Sequence, residues 1–224
     1  MLLIFDLDGT LIDSSRDLAI SVNATRRHFG LEPLDQQIVN SYVGQGAPVL
    51  VRRAMGSQFS EDQLEEALAF FLKYYRAHAL EHTRLYGGVK EAVVELSQCG
   101  HVMAVLTNKP ESISFDIIRA LGVDNYFVRV IGGNTLPHKK PHPAGILTLA
   151  EQTVTARGEV LMIGDSSVDV ETARNAGVRS CGVTWGLQPE SLQVVQPDFL
   201  VRHPQELCAS VREAAQSIPA INRN

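Results

Sequence analysis

Apolar residues fall along the 224-residue chain in two rhythms, and the change comes near residue 86. Leu2 to Phe5 is a short apolar run without alternation, the pattern of a strand buried on both faces of a parallel sheet. A helical period follows from Ser14 or Ser15 to about His28, with Leu18, Val22 and Thr25 or Arg26 on one face, Asp17 in the first turn and Gly30 as the stop. Asp35 is placed to cap a second helix carrying Ile38, Val39 and Tyr42, and Gly44-Gln45-Gly46 interrupts it. Val49, Leu50 and Met55 mark a short third helix closed by Gly56. Ser60-Glu61-Asp62-Gln63 reads as a capping box opening a longer helix to about His82, with Leu64, Ala67, Leu68, Phe71, Leu72 and Tyr75 in helical register.

After Tyr86-Gly87-Gly88 strands and helices alternate. Strands are expected at Val102 to Leu106, Val128 to Ile131, Val160 to Ile163 and Ser180 to Val183, with a last edge strand at Phe199 to Val201. Between them lie helices marked by Val89 to Leu96, Ile113 to Leu121, Ile146 to Ala150 and Val168 to Ala176, with a final one from about Pro204 to Gln216. Such alternation predicts an α/β fold, a Rossmann-like doubly wound parallel sheet with helices on both faces. The first strand is separated from the rest by an inserted all-helical cap domain. The expected division is a core of residues 1–14 and 85–224 and a cap of 15–84, with hinges near Asp13–Ser15 and Arg84–Gly88. The tail from Pro219 is expected to fray.

Composition narrows the function classes. With 45% hydrophobic and 20% charged residues the chain is an ordinary soluble globular protein. A net charge of −5 argues against a nucleic-acid surface, so any anionic substrate needs positive charge supplied locally. Cys99, Cys181 and Cys208 are odd in number, far apart and set among apolar residues, which predicts buried free thiols in a reducing cytosol. Without a Cys-x-x-Cys pair a zinc site is not expected. The apolar run after Met1 is too short for a signal peptide, and no segment approaches the roughly 18 apolar residues of a membrane span. A cytoplasmic monomer or homodimer with neither membrane nor nucleic-acid partner is the expectation.

Chemistry concentrates at the strand ends. Asp6 and Asp8 follow the first strand directly, before Gly9-Thr10 turns the chain. Two carboxylates so close need a cation or a shared proton, and a divalent metal with oxygen ligands answers that need. Thr107-Asn108 ends the next core strand, where a hydroxyl and the N–H groups opening a helix suit phosphate oxygens. Lys139 reads as a solvated loop residue, while Lys140-Pro141 places a point charge near the strand ends. Gly164-Asp165-Ser166-Ser167-Val168-Asp169 puts one carboxylate at a strand end and another in the first turn of a helix.

These four motifs, in order, resemble those of the haloacid dehalogenase superfamily of phosphohydrolases. The resemblance implies that Asp6 is the nucleophile and Asp8 the general acid/base. It further implies that Thr107, Asn108 and Lys140 bind the transferring phosphate. Mg²⁺ would be held by the Asp6, Asp8, Asp165 and Asp169 group, Asp169 through water or as an anchor beside it. Tyr42-Val43-Gly44-Gln45-Gly46 and Thr184-Trp185-Gly186 resemble the phosphoglycolate phosphatase branch. Gln45 stands where that branch has a small polar residue, and Leu187 where Tyr is frequent. Gly44, Gln45 and Gly46 are then expected to face a small phosphorylated metabolite, 2-phosphoglycolate first. Sugar-phosphate phosphatases, pyrophosphatases and phosphomutases of the same superfamily are alternatives. A receiver-like signalling module also uses Asp, Mg²⁺, Thr and Lys. It needs neither an inserted cap nor a second acid beside its phosphorylated Asp.

Overall fold

The computed structural model describes residues 1–217. All four residues of β1 (Leu2–Phe5) are buried, because the strand has a parallel neighbour on each side. The neighbours are β4 (Val102–Leu106) and β6 (Val160–Gly164). Outward from them lie β5 (Arg129–Ile131) on one flank and β7 (Arg179–Val183) then β8 (Phe199–Val201) on the other. The six-stranded order is β5-β4-β1-β6-β7-β8, parallel throughout.

Alternation along β1 builds the two apolar layers. Leu3 and Phe5 pack with Val89 and Val93 of α5 (Val89–Gln98) and Leu207 and Val211 of α9 (Leu207–Gln216). Leu2 and Ile4 face the other side, against Ile146 and Leu149 of α7 (Ala144–Gln152) and Ala173 and Ala176 of α8 (Ser167–Ala176). Burial of this kind is the main favourable term in folding, at about 25 cal/mol per Å² of apolar area.

Between β1 and β4 the chain leaves the sheet. α1 (Ser15–His28), α2 (Gln36–Asn40), α3 (Ala47–Met55) and α4 (Glu61–His78) form a helical block whose Leu18, Val22, Leu50, Met55, Leu64, Phe71 and Tyr75 are buried together. A two-stranded antiparallel ribbon carries the chain out and back, pairing Ile12 with Leu85 and Asp13 with Arg84. The Ser60 box forms as its sequence predicts: Gln63 N donates to Ser60 Oγ (3.3 Å) and Ser60 N to Gln63 Oε1 (3.0 Å).

Several boundaries differ from expectation. α4 stops at His78 rather than near His82. The amides of His82 and Thr83 donate instead to the buried Asp17 carboxylate at 3.0 and 2.8 Å, so they are not available to a helix. Thr83 Oγ1 and His82 Nδ1 also lie 2.8 Å from that carboxylate. Burial works against the Asp17 charge, but these hydrogen bonds outweigh it and hold the carboxyl below its ordinary range. Asp35 precedes α2 without a side-chain capping bond, and α2 ends at Asn40, before Tyr42. The last helix begins at Leu207, after a 3-10 turn over Pro204–Glu206. Cys181 and Cys208 are buried free thiols, whereas Cys99 is exposed, because it lies past the last turn of α5. The expected fraying from Pro219 falls outside the described residues. Among the described residues no helix is long and apolar enough to cross a membrane.

Candidate active site

The strand order reverses direction between β1 and β6, and in open α/β sheets the crevice at such a point binds ligands beyond the carboxyl ends. Asp6 directly follows β1, Asp165 follows β6 and Thr107 follows β4. The chain turns tightly after Asp6, with Leu11 N and Ile12 N both donating to Leu7 O (3.0 and 3.1 Å). Gly9 has φ +84°, and a Cβ there would stand 2.1 Å from Asp165 Oδ2. Gly186 approaches the same carboxylate, where a Cβ would come within 2.3 Å of Asp165 Cβ and 2.4 Å of Gly9 O. Two glycines therefore let Asp165 sit directly beneath the first loop.

Asp6, Asp165 and Asp169 each offer a carboxylate oxygen, all within 4.8 Å of one another and all buried. Lys140 Nζ lies 2.6 Å from Asp169 Oδ1 and 2.8 Å from Asp6 Oδ1. One ammonium is thus shared between Asp6 Oδ1 and Asp169 Oδ1. Burial pushes the Asp6 carboxyl up to about 7, with Lys140 opposing the rise and Asp169 adding to it. Burial, then the charges of Asp169 and Asp6, also raise Asp165 well above the usual carboxylate range. Burial works against the Lys140 charge, yet Asp169 and Asp6 overcome it and hold the ammonium above its ordinary range. Three carboxylates thus face one ammonium, and a divalent cation balances the remaining charge with hard oxygen donors it prefers. Asp165 keeps Oδ2 occupied by Leu187 N (2.7 Å) and Gln188 N (3.2 Å), while Asp169 Oδ2 holds Ser166 Oγ (2.7 Å) and N (3.2 Å).

Asp8 is not in this cluster. Past the end of β1 the chain is turning, and the Asp8 carboxylate faces the second buried lysine instead. Lys109 Nζ donates to Asp8 Oδ1 (2.7 Å) and Oδ2 (3.0 Å), and Ser14 Oγ donates to Oδ1 (2.5 Å). The third Lys109 contact is Tyr75 Oη of α4 at 2.6 Å. Burial opposes the Lys109 charge, but Asp8 and Tyr75 hold it above the ordinary range. Burial, partly offset by Lys109, pushes the Tyr75 hydroxyl up to about 12.

Thr107 and Asn108 line the cavity with Asp6, Asp8, Lys109 and Asp165. Asn108 uses its amide on the protein: Nδ2 donates to Gly44 O and Lys140 O, and Oδ1 accepts from Lys140 N, all at 2.9 Å. The opposite wall belongs to the helical block and is apolar, with Leu18, Val43, Ala47, Leu50, Phe71 and Leu72. The cavity between the two walls measures about 50 Å³. Gly44 and Gly46 line it, but Gln45 is exposed and accepts from Arg53 Nη2 (3.2 Å) outside it. Gln188 Nε2 reaches the carbonyls of Asn40, Ser41 and Val43 at 3.2, 3.2 and 2.7 Å, tying the block's loop to the core.

The structure thus joins Asp6, Lys140, Asp165 and Asp169 in one group, places Thr107 and Asn108 beside it, and turns Gln45 away. Sequence reasoning missed Lys109, Tyr75 and Gln188. Lys109 lies within a Thr-Asn-Lys-Pro run that also satisfies a turn, and Tyr75 fits a core helix face, so neither carried a distinct signal.

Comparison with known proteins agrees with this geometry. The sequence profile of the family described as haloacid dehalogenase-like hydrolase matches residues 3–183. A Vibrio parahaemolyticus phosphoglycolate phosphatase is 38% identical over 221 residues, covering 96% of this chain and 97% of that protein. A Colwellia psychrerythraea phosphoglycolate phosphatase is 40% identical over 190 residues, covering 82% and 84%. The crystal structure of a protein described as a predicted phosphoglycolate phosphatase from Haemophilus somnus superposes with TM-score 0.88 at 32% identity, over 93% of this chain and 96% of that one.

Proposed function

The chain belongs to the haloacid dehalogenase-like hydrolases and is a phosphatase, and we propose that it hydrolyses a small phosphate monoester, 2-phosphoglycolate first among the candidates, with Mg²⁺ and through a phosphorylated Asp6. The observation that carries the reading is the Asp6 carboxylate itself. It follows β1 at the mouth of the crevice, with Oδ1 2.8 Å from the Lys140 ammonium and buried Asp165 and Asp169 beside it.

In the proposed reaction an Asp6 oxygen attacks phosphorus and the bond from phosphorus to the ester oxygen breaks. Asp8 protonates the departing oxygen, so the alcohol leaves neutral. Water then attacks the phosphoryl group on Asp6 while Asp8 takes its proton, and inorganic phosphate is released. Lys140 lowers the repulsion between an anionic nucleophile and an anionic substrate, and Thr107 offers a hydroxyl to the phosphoryl oxygens. Asp6 and Asp165 would hold Mg²⁺, with Asp169 anchoring Lys140 beside it. When bound, the ion neutralises charge on the transferring phosphoryl group. The helical block serves as a cap, excluding bulk water from the crevice. The free cysteines suit a reducing cytosol.

Relatives named phosphoglycolate phosphatase support the substrate. A second reading, another small ester such as a sugar phosphate, is favoured by one observation. Among the described residues lining the cavity Lys109 is the one cation, and Asp8 and Tyr75 already occupy its donors. The test is phosphate release from a panel containing 2-phosphoglycolate, sugar phosphates and pyrophosphate, with and without chelator. A clear preference for 2-phosphoglycolate that chelation silences is expected. Undiminished rates in chelator would remove Mg²⁺ from the proposal, and a preferred sugar phosphate would replace the substrate.

A further inference from the structure

We propose that Tyr75 of the cap and Lys109 of the core are positioning residues for Asp8, so that closure of the cap completes the alignment of the catalytic acid. The inference rests on the reading of Asp8 as the acid that protonates the leaving group.

Lys109 is a buried cation that the proposed chemistry leaves without a task, since Lys140 already attends the nucleophile. A buried ion pair is a poor source of stability, because desolvation offsets much of its attraction. What it supplies is geometry. Both oxygens of the Asp8 carboxylate contact one ammonium, at 2.7 and 3.0 Å, so rotation of the carboxylate loses a contact. An ammonium on a four-carbon stem is itself mobile unless something fixes it. Tyr75 does so twice, with Oη 2.6 Å from Nζ and its ring centroid 4.6 Å below. Tyr75 is 1% exposed and belongs to α4, whereas Asp8 and Lys109 lie on the core. Withdrawing the cap would therefore strip Lys109 of Tyr75 and leave Asp8 with Ser14 Oγ and an ammonium no longer fixed in place. The nucleophile has no such dependence, because the contacts Lys140 makes to Asp6 and Asp169 lie within the core.

Tyr75→Phe keeps the ring and deletes the hydroxyl. The readout compares two leaving groups: turnover of 2-phosphoglycolate, whose alkoxide needs a proton, and the pre-steady-state release of p-nitrophenol from p-nitrophenyl phosphate, which needs none. Positioning predicts that the ratio of the first rate to the second falls about tenfold, part of the roughly 10²–10⁴ a general acid contributes. A purely structural role lowers both rates together and leaves the ratio alone. Lys109→Met should lower the ratio at least as far, and if that variant does not fold, Tyr75→Phe decides. An unchanged ratio in Tyr75→Phe overturns the inference. Asp8→Asn separates the two failures: if it also leaves the ratio unchanged, the reading of Asp8 as the acid has failed, and the inference falls with it.

Discussion

Two lysines are buried at the mouth of the crevice, Lys140 at 5% and Lys109 at 6% exposure, and each grips an aspartate that follows β1. Their supports come from different places. Lys140 is held by Asp6 and Asp169 and by the Asn108 side chain that accepts from its amide, all on the sheet side. Lys109 is held by Asp8 from the sheet side and by Tyr75 from the cap. The grip of Lys140 on Asp6 and Asp169 lies wholly on the sheet side, although Asn108 also donates to Gly44 O of the helical block. The grip of Lys109 on Asp8 lies there too, but the Tyr75 contact that fixes Lys109 crosses the interface. On the proposed reading, a fold that has to admit a substrate and then exclude water gains from this split: Asp6 would stay preorganised while the alignment of Asp8 is completed on closure.

The sharpest way to break the comparison is at its fixed half. Asp6→Asn preserves shape and removes the proposed nucleophile, so phosphate release should fall by more than about 10² in steady-state assays. The melting temperature should not fall, because the variant relieves a crowd of buried carboxylates around one ammonium. Residual turnover above about a hundredth of wild type would remove Asp6 from its role.

A smaller effect is expected where the helical block returns to the sheet. Asp17→Asn takes the charge from the carboxylate that holds His82 and Thr83, at a cost of roughly 1.5–3 kcal/mol for hydrogen bonds to a charged group. Urea unfolding at pH 7 should show that loss, with faster hydrogen exchange at residues 79–83. The Asp17 carboxyl is held below its unfolded value, so its contribution is present above the ordinary carboxylate range and is lost as pH falls through the lowered native value. The gap between wild type and variant should therefore close on acidification from pH 7 towards 3. A gap independent of pH would mean the carboxylate charge is not what secures His82 and Thr83.

The smallest effect separates cavity from surface within the cap. Gln45 faces Arg53 outside the cavity, so Gln45→Ala should change kcat/KM for 2-phosphoglycolate by no more than about 0.5 kcal/mol, the range of ordinary surface substitutions. A loss near tenfold would show that the Gly44–Gly46 loop turns inward when substrate binds.

The sheet and its strand-end carboxylates were legible in the sequence for a physical reason. A strand buried on both faces leaves an unbroken apolar run, as at Leu2–Phe5 and Val160–Ile163, and the polar residue that ends such a run marks the carboxyl end of the strand. Asp6, Asp165 and Thr107 are of that kind. What escaped was set by contacts across long sequence separations. Nothing local marks Asp17 as the clamp on His82 rather than a helix-dipole residue. Nor does anything distinguish Tyr75, whose ring obeys the apolar period while its hydroxyl serves Lys109. The ribbon of Ile12–Asp13 with Arg84–Leu85 is too short to leave an alternation, and Gln188 acts on bare carbonyls that have no residue signature.

That ribbon carries a consequence for how such a protein diversifies. Its two strands lie side by side, so the outgoing and returning chain cross the boundary at one point, and to the sheet the whole helical excursion is a single closed loop. Closing a loop costs only about 0.6 kcal/mol more each time its length doubles. The excursion can therefore be lengthened, shortened or exchanged with little penalty at its root. Selection for a new ester is then free to rewrite the wall opposite Asp6, Tyr75 apart, while Asp6, Asp165 and Asp169 keep their scaffold.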